Sequence, residues 1–187
     1  MPFLVDATEL PPIEFDELRF RHVRPEDRDD LMTVFGDVEV CRYWSSPALE
    51  SVEKAAALAA DIQQLFEKRT LFQWALTRRE DDRLIGTGTL AGLEPVHRRA
   101  EVGFALARSE WGSGVMRRAV PELLRFGFDV LKLHRIEAEV DPRNTASIRL
   151  LEGNGFLREG YRREAYFHNN EIQDSVSYAL LAKEFTR

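Results

Sequence analysis

Apolar and polar positions alternate along the chain with two different periods, and these periods predict a succession of strands and helices. The first regular stretch alternates over residues 18–22 and predicts a strand, and Pro25 in the segment 24–27 is typical of a helix start. A second helix begins near Ser51, because four apolar residues recur there at helical spacing, namely Leu58, Ile62, Leu65 and Phe66. The first third of the chain therefore predicts one strand followed by two helices.

The middle of the chain predicts a hairpin and a further strand. Residues 72–76 alternate, the segment 78–82 is a polar turn, and residues 84–90 are again largely apolar. Residues 101–107 alternate too, with large apolar residues on one face and Gly103 and Ala105 on the other. The small face leaves the backbone of this strand open to a ligand.

The last third begins with a strongly amphipathic helix after residue 114, in which Pro121 predicts a bend or a delayed start because proline removes one backbone hydrogen bond. A short strand over 136–140 and a short helix over 144–152 follow. Two further strands are predicted near 156–166 and 172–180. This mixture of strands and helices predicts an α/β (α+β) domain.

Composition limits the classes of function. The chain has 187 residues, of which 44% are hydrophobic, and a net charge of −6, which argues against disorder and against nucleic-acid or membrane binding. Residues 1–17 predict an extended arm and residues 18–187 a single domain. The lone Cys41 and the absence of a signal or membrane-span pattern predict a cytoplasmic protein, and four scattered histidines predict no metal site.

The most informative segment is the loop between strand 102–106 and the following helix. Its Gly112-Ser113-Gly114 sequence can turn the backbone so that amides at a helix N-terminus converge on a phosphate group. Arg108, Arg117 and Arg118 add positive charge there. A plain glycine turn is the alternative, whereas a P-loop is excluded by the missing Gly-Lys-Ser/Thr and a dinucleotide fingerprint by Arg117 in place of the third glycine.

Residues 109–116 resemble the pyrophosphate-binding loop of the GNAT acetyltransferases. Residues 141–147, together with 154–160, resemble the Asn-x-x-Ser … Gly-Phe segment of the branch that acetylates the N-terminal α-amines of ribosomal proteins, and the resemblance extends over 18–183. It implies the GNAT fold: a strongly twisted, mostly antiparallel sheet whose central strands 101–107 and 136–140 splay apart, with helices on both faces. Acetyl-CoA is then expected in the gap, and a homodimer is possible.

The resemblance also implies roles for individual residues. Backbone groups of Phe104, Ala105 and Leu106 would pair with the pantetheine arm and the acetyl carbonyl. Asn144 would contact acetyl-CoA, and Ser147 would return a proton to the coenzyme A thiolate, unless its hydroxyl caps the helix. The pyrophosphate would lie on the loop and the helix start, at Trp111, Gly112, Ser113, Gly114, Val115, Met116 and Arg117.

The general base is less defined, because the glutamate of some family members falls here on Tyr166. Glu164 lies two residues earlier and is expected on the same face of its strand. Glu101 beside the acetyl-binding strand and Glu94 are the other carboxylate candidates, and a water relay is a further alternative. Tyr43 and Trp44 lie between the first two helices, where the family's acceptor groove has its wall.

The function that this resemblance implies is direct transfer of acetyl from acetyl-CoA to a primary amine in a ternary complex. The favoured acceptor is the N-terminal α-amine of a protein. Making an α-amine neutral at pH 7 costs only about 1.4 kcal/mol, against about 4.6 kcal/mol for a lysine amine. The alternatives are a small-molecule amine, such as an antibiotic, polyamine or amino acid, and a non-catalytic acyl-CoA-binding module.

Overall fold

A computed structural model describes residues 6–44, 46–168 and 171–186, which form one eight-stranded sheet with helices on both faces. The strands are β1 (Ile13–Phe15), β2 (Leu18–His22), β3 (Leu71–Arg78), β4 (Leu84–Glu94), β5 (Arg99–Leu106), β6 (Arg135–Val140), β7 (Leu157–His168) and β8 (Glu171–Leu181). The helices are α1 (Arg28–Phe35), α2 (Val52–Glu67), α3 (Val115–Arg125) and α4 (Thr145–Gly153). Short 3₁₀ turns cover Pro25–Asp27, Cys41–Tyr43 and Arg108–Glu110.

The sheet confirms the predicted splayed architecture. Its strands follow the order β1-β2-β3-β4-β5-β6-β8-β7, and every neighbouring pair is antiparallel except β5 and β6. The parallel pair is short: it runs from Arg99 opposite Arg135 to Glu101 opposite Glu137, and no pairing follows. The backbone of 102–106 therefore keeps β4 on one side and faces a gap on the other.

Two apolar cores hold helices against opposite faces of this sheet. On one face, α3 buries Val115, Ala119, Val120, Leu123 and Leu124 in a core that also contains Leu151 of α4. On the other face, α1 and α2 pack on Ala75 and Ala105, and α2 begins where the Ser51 hydroxyl accepts a hydrogen bond from the Lys54 amide. The gap between β5 and β6 thus lies between these two helix-covered faces of the sheet.

Two expectations about local structure change. Helix α3 begins at Val115, directly after Gly114, so the delayed start expected from Pro121 is wrong, and the irregular part is a π-helical segment at Phe126–Val130. In the N-terminal arm, β1 pairs with β2, the Leu10 amide donates to His22 Nδ1 at 3.2 Å, and Trp74 Nε1 donates to the carbonyl oxygen of Pro11 at 3.1 Å. The described part of the arm is therefore docked on the domain.

The structure also bears on membranes and metals. No helix in the ranges described above has the length and apolar character needed to cross a membrane. Within the same ranges, no group of three or more His, Cys, Asp or Glu side chains is arranged to hold a metal ion.

Candidate active site

A cavity of about 640 Å³ lies at the open end of the gap between β5 and β6. It brings together segments that are far apart in sequence: the end of β5, the start of α3, the start of α4 and the turn before Ser45. The predicted site residues in its lining are Tyr43, Trp44, Phe104, Ala105, Leu106, Trp111, Gly112, Gly114, Val115, Met116, Arg117, Asn144 and Ser147.

The glycine loop has the backbone conformation that an anion site needs. Gly112 and Gly114 have φ angles of +77° and +78°, a left-handed conformation that favours glycine. The Ser113 hydroxyl donates to the Glu110 carbonyl oxygen at 2.6 Å and accepts from the Val115 amide at 3.4 Å, which fixes the loop on itself. The loop therefore holds its shape through internal contacts.

The hydrogen bonds narrow the set of amides available to a phosphate. The Trp111 amide donates to the Arg108 carbonyl oxygen at 3.2 Å and the Ser113 amide to that of Glu110 at 3.3 Å. In the described part of the chain, no hydrogen bond occupies four other amides, those of Gly112, Gly114, Met116 and Arg117. Amides at a helix N-terminus with no internal partner bind anions, so this set fits a pyrophosphate.

Of the three arginines predicted to add charge here, one faces the cavity. Arg118 donates to both carboxylate oxygens of Glu17, at 2.7 and 2.8 Å, and Arg108 Nη1 lies 3.9 Å from Asp37. Arg117 lines the cavity and has no ion-pair partner in the described ranges. Its charge is therefore the one available to an anionic ligand.

The end of β5 is open towards this cavity. Phe104, Ala105 and Leu106 pair with β4 alone, because the pairing with β6 ends at Glu101. The carbonyl oxygen of Leu106 accepts a hydrogen bond from the half-exposed Trp111 indole at 2.9 Å. Trp111 thus closes the loop over the end of the strand, and the backbone before it is the part that can pair with an extended ligand.

The start of α4 separates the two roles considered for Ser147. The Asn144 side-chain oxygen caps the helix by accepting from the Ser147 amide at 3.2 Å, and no residue in the described ranges accepts a hydrogen bond from the Asn144 side-chain nitrogen. The Ser147 hydroxyl has no hydrogen-bond partner among the described residues and lies in the cavity wall. The side chain that caps α4 is therefore that of Asn144, and the Ser147 hydroxyl is available to a ligand.

The side of the sheet carrying α1 and α2 holds the other predicted wall residues. Trp44 packs on Phe35 with ring centroids 5.4 Å apart, and its Cη2 would lie 3.9 Å from a Cβ added at Gly103. Tyr43 contacts the guanidinium groups of Arg42 and Arg143, at 5.4 and 5.6 Å from its ring centroid. Trp44 therefore lies over the small face of β5.

A second, more polar cavity of about 470 Å³ lies on β5–β8 and contains Glu101. Glu137 is paired with Arg135 at 2.6 Å, and Glu139 accepts from the Ser177 hydroxyl at 2.6 Å, but no hydrogen bond or ion pair involves the Glu101 carboxylate in the described ranges. Partial desolvation raises the pKa of Glu101, the nearby charges of Glu139 and Glu137 raise it further, and Arg162 opposes them. An unpaired carboxylate with a raised pKa is suited to accept a proton.

The remaining carboxylate candidates lie elsewhere. Glu94 is paired with Arg99 at 2.8 Å, at the opposite end of β5 from Leu106, and lines neither cavity. A bulge in β7 sets Arg162 opposite Ser175 and Tyr166 opposite Gln173. The three intervening residues face one residue of β8, so the alternation that was expected to bring Glu164 beside Tyr166 does not apply. Tyr166 lines the second cavity, whereas exposed Glu164 lines neither.

Two further residues of the site were not predicted from the sequence. Glu139 looks like an ordinary polar position on an alternating strand, and its place near Glu101 depends on the register of β5 and β6, in which Glu137 lies opposite Glu101. Arg143 precedes Asn144 and makes contacts with three separate segments. Only tertiary structure places these side chains at the site.

Comparison with known proteins is consistent with this geometry. A family model described as "Acetyltransferase (GNAT) domain" matches residues 17–157. The uncharacterized N-acetyltransferase YoaA of Bacillus subtilis (strain 168) is 32% identical over 172 residues, covering 92% of this chain and 97% of that protein. The spermidine N(1)-acetyltransferase of Vibrio cholerae is 27% identical over 177 residues, 94% of each. The structure of Mycobacterium smegmatis RimJ in complex with CoA-disulfide has the same fold, with a TM-score of 0.84 at 21% identity over 96% of this chain and 90% of that one.

Proposed function

This chain belongs to the GNAT acetyltransferase family and is an acetyl-CoA-dependent N-acetyltransferase, and we propose from the residues of its second cavity that the acceptor is the N-terminal α-amine of a protein. The observation that carries the proposal is the unpaired Glu101 carboxylate, on the same face of β5 as Gly103 and beside the splay point. An α-amine needs only a modest base, since about one-tenth of it is neutral at pH 7. A carboxylate with a raised pKa meets that need.

The openness of the second cavity supports a large acceptor. Its wall on β7 contains the exposed residues Arg162 and Tyr166, so a polypeptide that enters with its N-terminus can leave along this edge of the sheet. Tyr43 and Trp44 line the larger cavity, and Trp44 reaches over Gly103, on the same face of β5 as Glu101, where these two residues would form the wall between the acceptor and acetyl-CoA.

The residues of the larger cavity fit acetyl-CoA. The free amides of Gly112, Gly114, Met116 and Arg117 would hold the pyrophosphate, and the amide group of Asn144 would donate to it or to the pantetheine arm. When bound, acetyl-CoA supplies the acetyl thioester that reacts. The open backbone of 104–106 would orient the reacting end of this ligand.

Two proton transfers would then be carried by residues on either side of the gap. Glu101 takes the proton that the attacking amine loses, directly or through one water molecule. The Ser147 hydroxyl, which has no hydrogen-bond partner among the described residues, passes a proton to the leaving sulfur and regains one from solvent. Tyr166 contributes to the wall of the acceptor cavity. The guanidinium carbon of Arg162 lies over the Tyr166 ring, 5.6 Å from the ring centroid.

A second acceptor class is favoured by one specific observation. Glu101, Glu137, Glu139 and Glu159 line the same cavity, and an anionic cavity attracts small polycations such as polyamines. The similarity to the Vibrio cholerae spermidine N(1)-acetyltransferase agrees with this alternative.

The deciding experiment measures thiol release from acetyl-CoA with a panel of peptides, the same peptides with blocked N-termini, and polyamines. We expect turnover with free N-termini that disappears on blocking and falls by about a hundredfold or more in Glu101→Gln, with residual turnover still measurable. Glu94→Gln is the matched control, because it neutralises a carboxylate of the same strand pair outside both cavities. Turnover with polyamines alone would replace the proposal by the second one.

A further inference from the structure

Arg143 lies in the wall of the larger cavity, directly before Asn144. Its Nε and Nη2 atoms donate to Asp141 at 2.9 and 2.7 Å, and its Nη1 donates to Glu171 Oε1 at 2.8 Å. The guanidinium carbon also lies 5.6 Å from the centroid of the Tyr43 ring. One side chain therefore contacts the β6–α4 loop, the β7–β8 hairpin and the segment between α1 and α2.

The hairpin and the α1–α2 segment are also joined without Arg143. His168 Nε2 lies 3.4 Å from the carbonyl oxygen of Cys41, close to Tyr43 in sequence. In the same segment, the Cys41 amide donates to the Asp37 carbonyl oxygen at 3.0 Å and the Trp44 amide to that of Cys41 at 3.1 Å. The segment 37–44 thus has its own internal bonds and two attachments to the hairpin side of the domain.

The charge of Arg143 is already matched by protein groups. All three of its nitrogens donate to carboxylates, and the Asp141 side chain is only 5% exposed. Bidentate pairing of this kind fixes the guanidinium plane, which then presents its face to the Tyr43 ring. Arg143 lines the larger cavity, but its donors are used for holding protein segments together.

We infer that Arg143 is a positioning residue for the acceptor: it fixes Tyr43, and with it Trp44, relative to the Asn144–Ser147 turn that faces acetyl-CoA. This inference rests on the proposed function, in which Tyr43 and Trp44 form the acceptor wall. Asn144 directly follows Arg143, and Ser147 lies in the next turn of the chain. Arg143 therefore contacts the acceptor wall and is also part of the segment that faces acetyl-CoA.

The test compares Arg143→Gln and Glu171→Gln with wild type and with Arg83→Gln. Glu171→Gln removes the ion pair with the hairpin while keeping the Asp141–Arg143 pair, so it covers the case in which Arg143→Gln fails to fold. Arg83 pairs with Asp30 at 3.3 Å on the surface, outside both cavities, and provides a matched arginine–aspartate control. Each protein is assayed for the KM of the acceptor and of acetyl-CoA, and for hydrogen exchange of the 37–44 amides.

Loss of an exposed cation–π contact and its anchoring predicts a rise of about twofold to fivefold in acceptor KM, with the KM of acetyl-CoA unchanged. Exchange over 37–44 should be faster in both variants and unchanged in Arg83→Gln. Equal changes in the two KM values, or unchanged exchange over 37–44, would overturn the inference. Failure of the wild type to acetylate any amine would instead refute the proposed function, and the exchange data would still decide whether Arg143 anchors the segment.

Discussion

Gly114 provides a specific test of the proposed pyrophosphate site, because a methyl group added there disfavours the backbone conformation without contacting other residues. The residue precedes α3 with φ +78° and ψ 5°, and no heavy atom lies within 4 Å of a Cβ built on it. Gly114→Ala therefore causes no clash, and its cost is that of a left-handed conformation for an L-residue, about 1–2 kcal/mol. For a chain of this size, that loss lowers Tm by roughly 2–8 °C.

The same substitution should weaken CoA binding. If the loop relaxes from the left-handed conformation, the Gly114 amide and the amides at the start of α3 turn away from the phosphate. Loss of one hydrogen bond to a charged group is worth about 1.5–3 kcal/mol, or roughly tenfold to hundredfold in Kd. Calorimetric titration with CoA measures this change, and thermal unfolding measures the stability.

Two further variants make the result specific. Gly114→Asn should recover part of the loss, because asparagine tolerates the left-handed region better than alanine. Gly153→Ala, in the last turn of α4 with open space around its Cβ, should raise the free energy of unfolding by about 0.5–1 kcal/mol without changing Kd. A Gly114→Ala protein with wild-type Tm and wild-type affinity would refute the reasoning, and a lower Tm with unchanged Kd would remove the amides from the site.

Three other predictions concern the reaction and the lone thiol. Since partial desolvation and neighbouring carboxylates raise the pKa of Glu101, kcat/KM should rise with pH through a range above that of an ordinary glutamate. Glu101→Gln should abolish this rise. The variant should also unfold at a higher temperature than wild type near pH 7, and this gain should disappear at acidic pH, where both side chains are neutral. Ser147→Ala should reduce kcat by about a hundredfold with unchanged Tm, because its hydroxyl has no hydrogen-bond partner in the described ranges; undiminished turnover would remove its role. Burial raises the pKa of Cys41 to about 11, so a thiol reagent at pH 7.5 should neither label the native protein nor inhibit it.

Local sequence signals predicted most of the fold because each element has a strong pattern of its own. Helix α2 begins directly after Ser51, close to the predicted start, and α4 is capped by Asn144 and ends at Gly153, within a residue of the predicted span. The strands β3, β4, β5 and β6 begin within two residues of their predicted starts. At its C-terminal end, β4 is longer than predicted. The three-residue strand β1 was missed, since it is defined by pairing with β2 and not by a pattern of its own.

The candidate site was predictable where a backbone conformation selects the residue type. The φ angles of Gly112 and Gly114 favour glycine, and this signal is visible in sequence. The carboxylates were harder to assign because their role depends on register. The bulge at 163–165 is invisible to simple alternation, so Glu164 and Tyr166 were expected together. Glu139 shares a cavity with Glu101 because β6 pairs with β5 in a register that sets Glu137 opposite Glu101.

The short parallel contact between β5 and β6 explains why one sheet serves two ligands. Pairing that continued past Glu101 would close the gap and satisfy the backbone of 102–106 with protein groups. Because it ends there, the larger cavity reaches Phe104, Ala105 and Leu106 of β5, and the second cavity reaches Glu101 at the start of the opening. An amine that reaches Gly103 past Trp44 would thus meet an acetyl group held at Phe104–Leu106, and direct transfer would need no covalent enzyme intermediate.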